Sequence, residues 1–375
     1  MIPFRQHHLI QLLQEFDPQK GPLDLFMSLY FRENRALGSK DKAFISEAVY
    51  KLIRHQTLVD YLSDFSDDWL ERLDVLEEWL QNPDASLPLH LQLSFPEDLF
   101  IRLVKQYGQD QAKAICIASN LPAPTTIRVN TLKISRDELF EKWKNNYDVS
   151  LCHYSDCGIV FNQKVHFYSM PEFQNGFFEM QDEASQLVAL HVKARPTDLV
   201  LDYCAGSGGK TLAFAPLMHQ KGQIFLHDIR PHILLEAKRR LKRAGIQNAQ
   251  LLLPDNTAKQ KKLKKKMDWV LVDAPCSGSG TWRRNPDMKG KFHEERLQSL
   301  IKEQRVIFER ALSFVKPGGH IVYATCSLFA EENENQADFF KKNYNLTCQI
   351  PYFFTIPKEK EMDGFFCAVF KKSGN

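Results

Sequence analysis

The sequence predicts a multidomain chain: an all-helical N-terminal part, a small mixed α/β part, and a C-terminal α/β domain built on a parallel sheet. Three observations carry that expectation. Apolar residues recur at helical spacing through the first 118 residues. The prolines of Leu121-Pro122-Ala123-Pro124 then break the period, because proline lacks an amide donor and restricts its predecessor. From Gln181 onward, short apolar runs alternate with amphipathic stretches. The predicted segments are 1–118, 119–178 and 179–375. With 375 residues, 43% hydrophobic and 25% charged, the chain can bury more than one core.

In the first segment Leu9 to Phe16, Leu23 to Phe31, Asp41 to Phe65, Trp69 to Leu80 and Glu97 to Tyr107 carry the helical period. Pro18, Gly38, Pro83, Pro88 and Gly108 punctuate it. Such a bundle has no chemistry of its own to declare. Its Arg32, Arg35, Lys40, Lys42, Lys51 and Arg54 either face solvent or present a surface to RNA. In the second segment Thr126 to Leu132 alternates like a strand, and Leu139 to Trp143 suits a short helix. In the third, the candidate strands are Leu199 to Asp202, Gln223 to Asp228, Ala249 to Leu253, Trp269 to Asp273 and His320 to Thr325. Helices are expected at Glu183 to His191, Lys210 to Met218, Pro231 to Ala244 and Leu297 to Phe314. That alternation favours a parallel sheet covered by helices, with Cys348 to Phe354 and Phe365 to Phe370 closing it as an antiparallel pair.

Composition narrows the class. The formal net charge of +3 conceals basic segments at Lys259 to Lys266, read as a solvated insertion, and at Trp282-Arg283-Arg284. Eight cysteines without a CxxC pair are no disulfide framework, and Cys152-His153 with Cys157 lacks the second pair that a zinc site needs. A reduced, cytoplasmic protein without a metal site is expected. No apolar stretch approaches the roughly 20 residues of a membrane span, and Met1 opens no secretory signal, so no membrane association is expected.

Two signals point to chemistry. The first is Asp202-Tyr-Cys-Ala-Gly-Ser-Gly-Gly-Lys-Thr211, which joins a strand to a helix start. Gly206, Gly208 and Gly209 allow unusual dihedrals and close approach of a ligand to the main chain. Tyr203 and Cys204 stand where a Walker phosphate loop would open with glycine, and the dinucleotide fingerprint is incomplete. Asp228 and Asp255 fall at the next strand ends, where carboxylates meet one crevice and suit the ribose hydroxyls and adenine amino group of an adenosyl cofactor. Either acid alone reads equally as a cap. The second signal is a pair of matched settings, Asp273-Ala-Pro-Cys276-Ser-Gly and Tyr323-Ala-Thr-Cys326-Ser, fifty positions apart and each after an apolar strand-like run. An isolated cysteine is commonly a small buried hydrophobe, and Asp273 alone reads as a turn cap. Two thiols delivered by strand ends instead suggest covalent chemistry.

These motifs, in this order, resemble the NOP2/Sun family of RNA cytosine-C5 methyltransferases, and within it the bacterial RsmB-like 16S rRNA enzymes. The resemblance extends over nearly the whole chain. Gly38-Ser-Lys-Asp-Lys-Ala-Phe-Ile-Ser-Glu-Ala-Val-Tyr50 is similar to the family's NusB-like helical domain, and Arg128-Val-Asn-Thr131 to the entry of its RNA-binding subdomain. Gln181-Asp-Glu-Ala-Ser-Gln186, the glycine loop, Asp273-Ala-Pro-Cys-Ser-Gly-Ser-Gly280, Arg284-Asn-Pro-Asp287 and Thr325-Cys-Ser327 resemble successive motifs of its Rossmann-like methyltransferase domain. The resemblance implies that Cys326 attacks cytosine C6, that Cys276 helps release the product, and that Asp273 orients or protonates the base. It implies S-adenosyl-L-methionine in the loop formed by Cys204, Ala205, Gly206, Ser207, Gly208, Gly209 and Lys210, with Asp228 near ribose, Asp255 near adenine and Asp273 beside the pocket. The implied product is 5-methylcytosine in RNA, with small-subunit ribosomal RNA as partner; no motif identifies an obligate protein partner. In one departure, Ser207 stands where the family usually has proline, which leaves the loop less preorganised.

The chemistry independently calls for a thiol. Cytosine C5 is weakly nucleophilic until a thiolate adds at C6 and pushes electron density toward it. A base must later remove the C5 proton, and either Cys276 or a water near Asp273 suits that step. Arg283 and Arg284 are expected to pin a phosphate beside the Cys276 loop while Trp282 supports or stacks against the substrate, and Arg128 and Asn130 to touch RNA from the middle segment. Two alternatives remain: a nonenzymatic ribosome-assembly factor that kept the cofactor fold, and DNA cytosine-C5 methylation through the proline-cysteine motif.

Overall fold

Helices occupy Phe4–Glu15, Leu23–Glu33, Ser39–Arg54, Gln56–Leu62, Trp69–Gln81, Leu89–Gln92, Glu97–Tyr107 and Gln109–Asn120 in the computed structural model, which describes residues 2–374. The first five wrap a core of Leu9, Leu12, Met27, Tyr30, Ile45, Val49, Leu52, Leu58 and Leu76. Those residues recur at three- and four-residue steps, so each helix lays one apolar stripe inward. The expected helix from Asp41 to Phe65 is broken at His55. Asp68 starts the helix at Trp69 by accepting from the Leu70 and Glu71 amides.

By internal contacts the chain divides into two units, and the division does not follow sequence order. One holds the chain through Pro122 together with Thr281–Glu294 and Pro357–Glu359; the other holds Ala123–Gly280, Glu295–Ile356 and the chain from Lys360. In the helical unit, Trp282 is 1% exposed and meets Phe95 edge to face at 5.4 Å between ring centres. Lys289 Nζ donates to Arg54 O at 2.6 Å, Asn120 Oδ1 at 2.7 Å and Ser94 O at 3.3 Å. Arg283 is likewise 1% exposed, donating to Lys358 O at 3.0 Å. This corrects the expected phosphate contact at Arg283 and base stacking at Trp282: both side chains are spent on the interior. Arg284 is half-buried.

The second unit contains two sheets. The smaller is antiparallel, with β1 Thr125–Val129, β2 Val149–Leu151, β3 Gly158–Phe161 and β4 Phe178–Met180 in the order β2-β3-β1-β4. The helix Arg136–Trp143, opened by a Ser135–Glu138 capping box, covers it over Ile127, Leu139, Trp143, Phe161 and Phe178. The larger contains β5 Leu199–Asp202, β6 Gln223–Leu226, β7 Ala249–Leu251, β8 Met267–Asp273, β9 Val315–Thr325, β10 Leu346–Cys348, β11 Phe353–Thr355 and β12 Phe365–Lys372. Its order is β10-β12-β9-β8-β5-β6-β7, with β11 on β12. Strands β5 to β9 are parallel, and β12 joins β9 antiparallel.

Successive residues of these strands enter opposite cores. Val200, Leu271 and Val322 belong to one, and Leu201, Val270 and Tyr323 to the other. Both faces are therefore buried under helices, which is why the runs read as continuously apolar. The segment expected as one strand from Cys348 to Phe354 is two short strands, β10 and β11, interrupted near Pro351 and both paired to β12. Thr257–Leu263, inside the lysine run, is a helix without a buried residue. Among the described residues no helix is long and apolar enough to cross a membrane.

Candidate active site

Strand β5 has β6 on one side and β8 on the other, so the sheet order reverses there and a crevice opens at the carboxyl ends. Register fixes what reaches it. Asp202 pairs with Leu271, and Asp273 with Ala324, so the residues that follow β5, β8 and β9 emerge side by side. A cavity of about 650 Å³ lies there, lined among others by Asp202, Cys204, Gly206, Lys210, Asp228, Asp273, Cys276 and Cys326. The predicted cysteine and glycine-loop residues thus share one wall.

The two sulfurs are 3.4 Å apart. Their hydrogen bond, then burial, pushes the Cys276 thiol well up, so Cys276 is the partner that keeps a proton. The Gly280 amide donates to Cys326 O at 2.9 Å, and Gly364 lies so close that a Cβ on Gly280 would collide with its carbonyl. Lys210 Nζ donates to Asp273 Oδ2 at 2.5 Å. Burial works against the Lys210 charge, but the Asp273 carboxylate outweighs it and raises the ammonium above its ordinary value. The pair places a fixed cation and anion beside the thiols.

The glycine loop is held from three directions. Gly206 and Gly208 have φ of 51° and 80°, in the left-handed region that favours glycine. Asp228 Oδ2 accepts from the Gly206 amide at 2.9 Å, while Arg230 forks onto the same carboxylate through Nε and Nη2 at 2.9 and 3.1 Å. Burial opposes the Asp228 charge, yet these donors hold its carboxyl below the usual range. Arg240 donates to Ser207 Oγ at 2.6 Å and Ser207 O at 3.1 Å, and pairs with buried Glu179. Ser207 therefore gains a side-chain anchor that a proline would lack.

Arg128 and Asn130 are corrected from their expected RNA contacts. Arg128 is 5% exposed, bonded to Gln181 and to Gly209 O at 3.0 Å, so it props the loop from inside. Asn130 Nδ2 donates to Gly176 O and Ala244 O at 2.9 and 2.8 Å. Asp255 is exposed on the turn after β7 and is not part of the cavity wall, because the chain there turns outward to the helix at Thr257. Arg230, Arg240 and Glu332 were not anticipated. Arg240 is recognisable only from partners remote in sequence, and Glu332 chiefly from Ser277 and Gln304, 55 and 28 positions earlier; Arg230, two residues past Asp228, carried a local signal in its spacing.

An adenosyl cofactor fits this wall. Asp202 Oδ1 is buried without a partner, although Oδ2 accepts from Thr211 Oγ1 at 2.7 Å, and burial pushes the carboxyl up to about 7. A Cβ at Gly206 would meet nothing within 4 Å, so the loop is open beside Asp228. An orphaned acceptor and a bare stretch of main chain are what a hydroxyl- and amine-bearing ligand requires.

Comparison with known proteins agrees. Residues 189–371 match the model of the 16S rRNA methyltransferase RsmB/F family, and residues 95–168 match the ferredoxin-like domain of RsmF/B-like methyltransferases. The ribosomal RNA small subunit methyltransferase B of Vibrio vulnificus is 31% identical over 72% of this chain and 65% of its own length. A probable methyltransferase of that name from Synechocystis is 28% identical over 83% of this chain and 75% of its own. The chain thus spans about two thirds to three quarters of these relatives. The crystal structure of a methyltransferase homologue from Pyrococcus horikoshii superposes with a TM-score of 0.65 at 27% identity, covering 76% of this chain and 97% of that one. With its thiol pair and cofactor crevice on a shared sheet edge, the chain belongs to the RsmB/F (NOP2/Sun) family of S-adenosylmethionine-dependent rRNA cytosine-C5 methyltransferases.

Proposed function

We propose that this protein methylates C5 of a cytosine in small-subunit rRNA, with Cys326 as nucleophile. The observation that carries the reading is the pair of sulfurs 3.4 Å apart on the wall that also holds the glycine loop. Cys276 holds the shared proton, so Cys326 is free to add. Attack forms the S–C6 bond and moves an electron pair to C5. The Gly206 loop, Asp228 and Lys210 would hold S-adenosylmethionine, which would supply the methyl electrophile for C5 and leave as S-adenosylhomocysteine. Asp273, fixed by Lys210, orients the base ring. Removal of the C5 proton, by a water near Asp273 or by Cys276 once it has released its own proton to solvent, restores the C5–C6 double bond and expels the Cys326 thiolate.

A stacked cytosine hides its C6 face, so the target is displayed in a loop or flipped from a helix. The test pairs the purified protein with labelled S-adenosylmethionine and unmodified small-subunit rRNA, followed by mapping of the labelled cytosines. The reading requires 5-methylcytosine that disappears with Cys326→Ala. Activity that survives Cys326→Ala and disappears with Cys276→Ala would instead assign the proline-cysteine thiol as nucleophile, as in DNA cytosine methylation.

A further inference from the structure

Glu332 is 0% exposed and lies against both cysteine loops. Its Oε1 accepts from the Ser277 amide and from Gln304 Nε2, each at 2.9 Å. Its Oε2 accepts from Ser277 Oγ and Ser327 Oγ, each at 2.5 Å. Ser277 follows Cys276 directly, and Ser327 follows Cys326. One buried carboxylate therefore ties the two loops together at the residue after each sulfur.

The rest of the surroundings tightens the tie. Ser279 Oγ lies 3.1 Å from Ser277 Oγ and 3.2 Å from Ser327 Oγ, and accepts from the Leu328 amide at 2.7 Å. Gln304 also donates to Pro275 O at 3.0 Å, one residue before Cys276. Tyr323 OH donates to the Glu332 carbonyl at 2.7 Å, which fixes the main chain that carries the carboxylate. A buried charge without partners is costly, and here four donors converge on it. Apolar packing would bury these loops equally well, but it would not hold two sulfurs to a fixed gap.

We propose that Glu332 is the positioning residue that sets the separation and the unequal reactivity of the two thiols, with Cys276 as the proton holder and Cys326 as the nucleophile. Its catalytic meaning rests on the cytosine-methylation reading. Electrostatics acts in the same sense: after the Cys326 hydrogen bond, burial and the charge of Cys326, the Glu332 charge further raises the Cys276 thiol. The other ionisable groups nearby are Lys210 and Asp273, which pair with each other, and Tyr323, whose phenol burial keeps protonated.

The test is site-resolved alkylation of the full chain with iodoacetamide, followed by peptide mass analysis, in wild type, Glu332→Gln and Ser277→Ala. In wild type Cys326 is expected to label at least about tenfold faster than Cys276, one pKa unit of thiolate preference. Glu332→Gln should reduce that ratio about tenfold or more, and Ser277→Ala about threefold, since it removes one of the two bonds from that loop but leaves the charge. Thermal melting identifies a variant that fails to fold, in which case the other decides. A ratio unchanged in a folded variant, or no preference in wild type, overturns the proposal. Alkylation needs no RNA, so absent methylation with the expected thiol ratios would count against the substrate reading alone.

Discussion

At the scale of single residues, the proposed reading gives the two sulfurs unequal duties, and substitution should separate them. Cys326→Ala should lower methyl incorporation by at least about 10³-fold, because on the proposed reading it is the Cys326 sulfur that forms the bond to C6. Cys276→Ser should instead accumulate an RNA adduct on Cys326 that survives denaturing electrophoresis. Asp202 yields a pH prediction. Its folded carboxyl sits near 7 against an ordinary 3.8, so the folded state holds the proton more tightly. That contribution to stability is complete below about 4 and is lost as pH rises through about 7. Asp202→Asn should therefore flatten the fall in urea stability between pH 5 and 8, by up to a few kcal/mol. The cysteines were legible because each sits in a distinctive local motif. Arg128, Asn130 and Arg283 were misread as RNA contacts because a charged or amide side chain does not announce its burial. Arg128 finds its carbonyl 81 positions away and Asn130 one of its two 114 positions away.

At the scale of elements, the glycine loop and the strand ends follow from rules that act over a few residues. Strand β5 falls where the apolar run placed it, and the helix Pro231–Ala244 has its expected bounds. The split of β10 from β11 was hidden because both flanks of Pro351 are apolar. Support of the loop by Arg240 was also hidden, since this helical residue depends on Glu179 in β4, 61 positions earlier. Arg240→Ala removes the anchor on Ser207 and one of two arginines from Glu179, whose other partner is Arg243 at 2.6 Å. We expect S-adenosylmethionine binding by calorimetry to weaken about three- to thirtyfold, with a loss of roughly 1–3 kcal/mol in stability. Gly280→Ala should abolish ordering of the Cys276 loop, read as equal alkylation of both thiols, because Gly364 leaves no room for a methyl group.

At the scale of the whole molecule, the order of helical, mixed and parallel-sheet parts was legible from periodicity. The grouping was not. Periodicity is a local property, whereas the assignment of Thr281–Glu294 to the helical unit depends on Lys289 finding carbonyls 195 and 235 positions earlier. Lys289→Met should destabilise the protein by about 1–3 kcal/mol, measured by thermal unfolding, since Arg54 O, Ser94 O and Asn120 Oδ1 each lose a donor. A fragment ending at Pro122 should melt well below the intact chain, because it lacks Trp282 against Phe95.

The chain passes between its two units five times, after residues 122, 280, 294, 356 and 359. During synthesis a unit made first ordinarily closes first. Here the helices emerge from the ribosome early but wait for Trp282 and Lys289, and then for Lys358, before their interior is complete. By then both active-site cysteines have been translated. The part that starts first is therefore among the last to finish, and a ribosome stalled before residue 281 would carry a helical unit still open to proteases.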